Sequence, residues 1–204
     1  MGKETAFKYG DSQERYKLYK RFGYDIDRER HFVIEQTAPF KGSILEIGTG
    51  KGNFALALAQ RGYRFISVDI SQEEQALARA LIRGSGLAEQ VDFQIQDAEK
   101  LNFEDACFDN VFSVNLMHHL ENPFAVIEEM TRVTKLQGRI IISDFTDHGF
   151  EVIKKIHQFQ GNDHHKGAIE FGDIKAYLRD KGFCIQECIG EIQQVIMATH
   201  KIIS

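Results

Sequence analysis

The run Ser43-Ile-Leu-Glu-Ile-Gly-Thr-Gly-Lys-Gly-Asn53 sets a short apolar segment directly against three glycines spaced two apart, and an apolar helical pattern follows at once. That order reads as strand, tight turn, helix. Gly48, Gly50 and Gly52 can take backbone angles closed to residues with a Cβ, and they let the main chain approach a ligand closely. The free N–H groups of the turn and the positive end of the next helix dipole then face whatever lies above the strand. Open α/β sheets hold their ligands in such a crevice, at the carboxyl end of a parallel strand.

The same unit repeats downstream. A helix from Phe54 to Arg61 stops at Gly62, and Arg64 to Asp69 is a second buried strand. Ser71-Gln-Glu-Glu74 has the form of a capping box opening a helix to about Arg83. Strands follow at Val91 to Gln96, Phe108 to Val114 and Arg139 to Asp144. Between the last two, Asn122-Pro opens a helix with Phe124, Ile127, Met130 and Val133 on one stripe. Near-continuously apolar strands alternating with helices predict a parallel sheet covered on both faces. The ending changes character: after a helix at about Asp173 to Lys181, strands Phe183 to Ile189 and Ile192 to His200 join across Gly190-Glu191, a turn short enough only for antiparallel neighbours.

Glycine spacing separates two cofactor classes. A dinucleotide fingerprint is G-x-G-x-x-G, whereas here Glu46-x-Gly48-x-Gly50-x-Gly52 stands. With the terminal hairpin, this resembles the class I S-adenosylmethionine (AdoMet) dependent methyltransferases over roughly Gly42 to Lys201. The resemblance implies an α/β, Rossmann-like seven-stranded sheet with helices on both faces and a C-terminal antiparallel hairpin. It implies S-adenosyl-L-methionine as cofactor, Glu46 toward its ammonium end, and Gly48, Thr49 and Gly50 along its amino-acid moiety. Asp69 lies 19 residues beyond Gly50, the place of a carboxylate for ribose hydroxyls in such folds, with Ile70 beside it. By resemblance, Asp97 and Ala98 border the adenine, and the loop opening at Asn115 closes over the cofactor.

At 204 residues the chain has the size of one domain. Residues 1–41, with Tyr16, Tyr19, Phe22, Tyr24, Phe32 and Val33 at helical spacing and a break near Gly23, are expected to form a helical cap on a domain of residues 42–204. In the resembling family such a segment often lies over cofactor and substrate; packing on the sheet edge is the plainer expectation. Hydrophobic content of 43% and charged content of 27% are those of a globular protein. A net charge of -5 argues against a general basic surface for nucleic acid or anionic membrane. With no run of roughly 18 apolar residues and no signal-like amino terminus, a cytoplasmic location is expected. Cys107, Cys184 and Cys188 are too few and too irregular for a disulfide framework or zinc cluster and are expected to be buried and structural.

Methyl transfer from a sulfonium asks mainly for alignment of acceptor and methyl group, worth about 7–11 kcal/mol, so no catalytic motif is expected. Histidines carry what signal there is. His118 and His119 follow the fourth strand, and His148, His157, His164 and His165 follow the fifth. His119, His157, His164 and His165 are the candidates for a general base, and no spacing of the H-E-x-x-H kind supports a metal site. Neither an Asn-Pro-Pro-Tyr type loop nor an added basic segment is present, so a small-molecule acceptor is expected. Two rivals are a non-catalytic AdoMet-binding regulatory protein and, against the glycine spacing, an NAD(P)-dependent Rossmann oxidoreductase.

Overall fold

The computed structural model describes residues 14–161, 167 and 169–201. Helical residues 14–21 (α1) and α2 (Ile26–Thr37) precede β1 (Ile44–Ile47), α3 (Asn53–Gln60), β2 (Phe65–Asp69), α4 (Gln72–Gly84), β3 (Val91–Ile95) and β4 (Phe108–Val114). Then come α5 (Pro123–Val133), β5 (Thr134–Phe145), α6 (Asp147–Phe159), α7 (Phe171–Asp180), β6 (Phe183–Ile189) and β7 (Gln193–His200).

The seven strands form one sheet in the order β3-β2-β1-β4-β5-β7-β6. β7 alone runs antiparallel to its neighbours. This is the expected sheet with its terminal hairpin. The order reverses between β1 and β4, where Glu46 pairs Phe112, and a reversal of that kind opens a crevice at the carboxyl edge.

All four residues of β1 are buried, since both faces of the sheet are covered. On one face Phe112 packs edge-on to Phe40 at 4.9 Å and beside Phe54 at 5.3 Å, with Val33 and Ile34 of α2 and Leu58 of α3 around them. On the other, Leu45, Ile47, Val111 and Ile140 meet Ile127, Met130 and Val133 of α5. α2 thus supplies core side chains, and a third cluster joins Tyr24 and Ile26 to Phe145, Val152, Ile153 and Ile156.

Several local expectations are corrected. Ser71 does cap α4, accepting from Glu74 N at 3.2 Å, but the Ser71 N–H goes to Asp69 Oδ1 at 2.8 Å, so Glu74 is not the acceptor the box expected. Asn122 makes no side-chain cap, and Phe124 leaves the buried stripe to pack on Tyr177 at 4.8 Å. β5 begins at Thr134, five residues earlier than expected, because the chain pairs Phe108 with Thr134 and then shifts register. Of the cysteines expected to be buried, Cys184 is exposed and Cys188 partly exposed, as β6 is an edge strand, and Cys107, just before β4, is also partly exposed. Residues 147–159, read only as a histidine-bearing segment, form α6: Val152, Ile153 and Ile156 keep helical spacing and are buried.

Phe112 joins both covering helices of its face to the sheet. Phe112→Ala should cost about 3–5 kcal/mol of unfolding free energy, measurable as a lower urea midpoint with an unchanged slope.

Candidate functional site

The carboxyl ends of β1 and β2 are tied together by main-chain bonds. Gly48 N and Thr49 N both donate to Val68 O, at 2.9 and 3.1 Å, which bends the chain out of β1 and over β2. Gly48, Gly50 and Gly52 all take positive φ, at 87°, 50° and 80°. A Cβ at Gly52 would stand 2.8 Å from the Ala78 methyl of α4, so close helix packing demands glycine there. Above Gly50 lies open space, which leaves room for a ligand against the loop.

Asp69 Oδ2 accepts from Gly50 N at 2.7 Å while Oδ1 takes Ser71 N. A carboxylate has about four acceptor positions, so it can hold both turns and still receive two hydroxyls. Ile70 beside it is 69% exposed. Asp97 is exposed just past β3, with Oδ1 accepting from Glu99 N at 2.9 Å, and Ala98 is half-buried. Ribose hydroxyls on Asp69 and a flat heterocycle along Ile70 match this edge.

Glu46 sits at the floor, fully buried. Its Oε2 accepts from Ser67 Oγ at 2.6 Å, and Ser67 Oγ lies 2.6 Å from Thr49 Oγ1. Burial pushes its pKa up to about 8, opposed by the Ser67 bond, with the charge of Asp69 adding to the rise and that of Arg30 opposing it. A buried acid kept protonated in this way is poised to ionise beside a cation.

Asn115 takes a left-handed φ of 55° after β4. With its amide oriented to satisfy both ends, the oxygen accepts from Arg30 Nη2 at 2.9 Å and Nη1 at 3.2 Å, and the nitrogen donates to Gln193 Oε1 at 2.9 Å. Arg30, on α2, closes the cradle from above, a contact spanning 85 residues that no sequence signal announces. Tyr16 of α1 donates to Asn53 Oδ1 at 2.6 Å, latching α1 onto the first turn of α3.

Beside Asn115 a cavity of about 170 Å³ opens between α1, α2, α6 and the turn Met117–His119. His119 and His157, both candidates from the sequence, line it together with His118. His164 and His165 lie outside the described residues. His148 is exposed on α6 and does not line the cavity. His118 Nδ1 lies 2.6 Å from Asp144 Oδ1, and both side chains are buried. Asp144, at the end of the apolar run of β5, was legible as an acid closing a strand like Glu46 and Asp69, but its partner was not. The His119 ring packs on that of His118 at a 47° tilt, with centroids 3.9 Å apart. It is open on the cavity side and walled behind; that wall, then the neighbouring His118, lower its pKa to about 4, so it is neutral near pH 7. Among the described residues no group of three His, Cys, Asp or Glu could hold a metal, and no helix there is long and apolar enough to cross a membrane.

Glu46 fixes a sign for stability against pH. Its folded pKa lies above the unfolded value of 4.5, so its contribution is whole below that pH and is lost as pH rises through about 8. Glu46→Gln should therefore flatten the fall in urea midpoint of the ligand-free protein between pH 5 and pH 9; an unchanged slope would show that Glu46 is ionised in the fold.

Residues 45–142 match the model of a methyltransferase domain. The ubiquinone/menaquinone biosynthesis C-methyltransferase UbiE of Geotalea daltonii is 30% identical over 152 residues, 71% of this chain and 64% of the relative, so the chain spans under two thirds of that relative's length. The ubiquinone biosynthesis O-methyltransferase of Xanthomonas axonopodis pv. citri is 25% identical over 80% of this chain and 71% of its own. A solved structure of an S-adenosylmethionine-dependent methyltransferase from Aquifex aeolicus shares the fold at a TM-score of 0.64, with 19% identity over 83% of this chain and 88% of the other. Taken with the reversed strand order, the glycine loop and the acids at three strand ends, these likenesses support a class I S-adenosylmethionine-dependent methyltransferase.

Proposed function

We propose that the protein transfers the methyl group of AdoMet to a small aromatic molecule whose acceptor atom carries a proton. The observation that carries this reading is a neutral, accessible imidazole, His119, in a cavity that shares Asn115 with the cofactor cradle. AdoMet supplies an electrophilic methyl group on a sulfonium. Glu46 would face its ammonium, Asp69 the ribose, and Asp97, Ala98 and Ile70 the adenine, while Gly48, Thr49, Gly50 and Asn115 shape the passage between. Residues 1–41 would act as the cap of a catalytic domain at 42–204.

The cavity walls suit an aromatic ring: Tyr19, Tyr24, Phe145 and Ile153 are among its lining residues. As the methyl group bonds to an oxygen, the proton on that oxygen becomes strongly acidic, so even a weakly basic imidazole can take it, an effect worth about 10²–10⁴-fold. The His118–Asp144 contact lies behind His119, whose ring packs at a tilt on that of His118. The two curated relatives are titled a C- and an O-methyltransferase of quinone biosynthesis, which supports a small ring-bearing acceptor.

Calorimetry with AdoMet, S-adenosylhomocysteine and NAD tests the cofactor assignment: the two adenosyl ligands should bind and NAD should not, while binding of NAD alone would overturn it. Asp69→Ala should weaken AdoMet binding by roughly 1–3 kcal/mol through lost charged hydrogen bonds. At pH 7, binding should release up to about one proton as Glu46 ionises beside the ammonium, seen as a buffer-dependent heat that Glu46→Gln removes. His119→Gln should lower kcat by about 10²–10⁴-fold and leave AdoMet affinity unchanged in the same titration.

A further inference from the structure

The cavity beside the cradle has a charge character opposite to that of the chain. The chain carries a net charge of -5, yet the described residues lining the cavity include no carboxylate and two arginines, Arg15 of α1 and Arg30 of α2. Lys51, in the glycine loop, is near enough to lower the pKa of His157 at the same rim, after burial. Asp27, whose charge acts on Tyr16, does not line the cavity, and two other neighbouring acids already have partners. Asp144 stands behind His118 and also accepts from Phe145 N at 2.8 Å, and Glu29 has Arg28 at 3.7 Å.

The two arginines are not equivalent. Arg30 is engaged by the Asn115 oxygen and the Tyr24 hydroxyl, and its charge reaches Glu46, so it belongs to the methionine end of the cradle. Arg15 has a buried Nε with no hydrogen-bond partner. Its guanidinium lies 5.9 Å from the centre of the Tyr16 ring, a loose contact that satisfies no N–H. A buried donor left in this state is unfavourable unless a ligand supplies the acceptor. Nor is its position loose, because the hydroxyl of the adjacent Tyr16 is bonded to Asn53 and holds α1 against the loop.

We infer that Arg15 receives a carboxylate of the methyl acceptor, which makes the acceptor an aromatic acid. The ring lies along Tyr19 and Phe145, the acid group faces Arg15, and the atom to be methylated faces Asn115 and His119. With Arg30 engaged by Asn115 and Tyr24, Arg15 is left to receive the anion, and a planar guanidinium matches a carboxylate by two parallel N–H bonds. The assignment rests on the reading of the cavity as the acceptor site.

The test titrates the protein loaded with S-adenosylhomocysteine with 3,4-dihydroxybenzoate and with its uncharged counterpart 3,4-dihydroxybenzamide, in wild type, Arg15→Gln and Arg15→Lys. Wild type should bind the acid roughly tenfold or more tightly than the amide. Arg15→Gln should abolish that preference without changing affinity for S-adenosylhomocysteine, and Arg15→Lys should keep part of it. Equal binding of acid and amide, binding of neither, or a preference that survives in Arg15→Gln would overturn the assignment. Weaker S-adenosylhomocysteine binding in Arg15→Gln would also overturn it, by moving Arg15 to the cofactor. Failure of wild type to bind S-adenosylhomocysteine would instead sink the methyltransferase reading, and this assignment with it.

Discussion

The carboxylate of Asp69 is the joint on which the carboxyl edge of the sheet depends. One oxygen holds Gly50 N and the other holds Ser71 N, so a single side chain fixes both the glycine turn after β1 and the first turn of α4 after β2. Without it, two main-chain donors at a half-buried edge would lose charged acceptors, each bond worth about 1.5–3 kcal/mol before solvent screening at this partly exposed site. The close approach of α4 to the glycine turn, where Ala78 leaves no space for a Cβ at Gly52, depends on the same joint. In the proposed reading, cofactor recognition and local folding would share this one residue, since its remaining acceptor positions are not taken by main-chain bonds.

Glu46 shows the opposite economy. It is buried to a degree that favours the neutral acid, and its hydroxyl chain through Ser67 and Thr49 holds its position without making it comfortable as an anion. Such an arrangement stabilises the empty fold only while the proton stays. A cationic ligand changes the balance, because the ion pair it offers lies in a region of low dielectric where attraction is strong. Arg30, facing the same place from α2, keeps the carboxyl from rising further and supplies a countercharge for an acid on the ligand. The two charges suit the two ends of an amino acid.

The sheet and the cofactor edge were legible because they are written in local, short-period patterns. Apolar runs ending in Glu46, Asp69 and Asp97, and glycines at steps of two, are features a few residues long, and the strands they predict lie within a residue or so of those observed except at β5. The acceptor side was less legible because it is assembled from distant pieces. Arg30 meets Asn115 across 85 residues, Tyr16 meets Asn53 across 37 and His118 meets Asp144 across 26. α6 is marked in the sequence only by Val152, Ile153 and Ile156, a short apolar stripe among charged and histidine residues. The expected full capping box at Ser71 failed for a functional reason: Asp69 takes the donor that Glu74 would have claimed.

This division follows from what each half must do. The glycine-loop edge is built on strand ends, whose positions are set by the ladder of main-chain bonds and by burial on both faces, so its geometry is rigid. The acceptor cavity is walled by α1, α2 and α6, which reach it through side chains on a third, smaller cluster around Phe145. Side chains of α1 and α6 shape that cavity at a distance from Asp69, whereas α2 also carries Arg30, whose charge reaches Glu46. Tyr24 and Phe145 are one place where the two parts touch, with rings 5.5 Å apart and edge-on, Phe145 at the end of β5 and Tyr24 just before α2. A contact of that kind holds the start of α2 against the end of β5 by packing, without using a polar group.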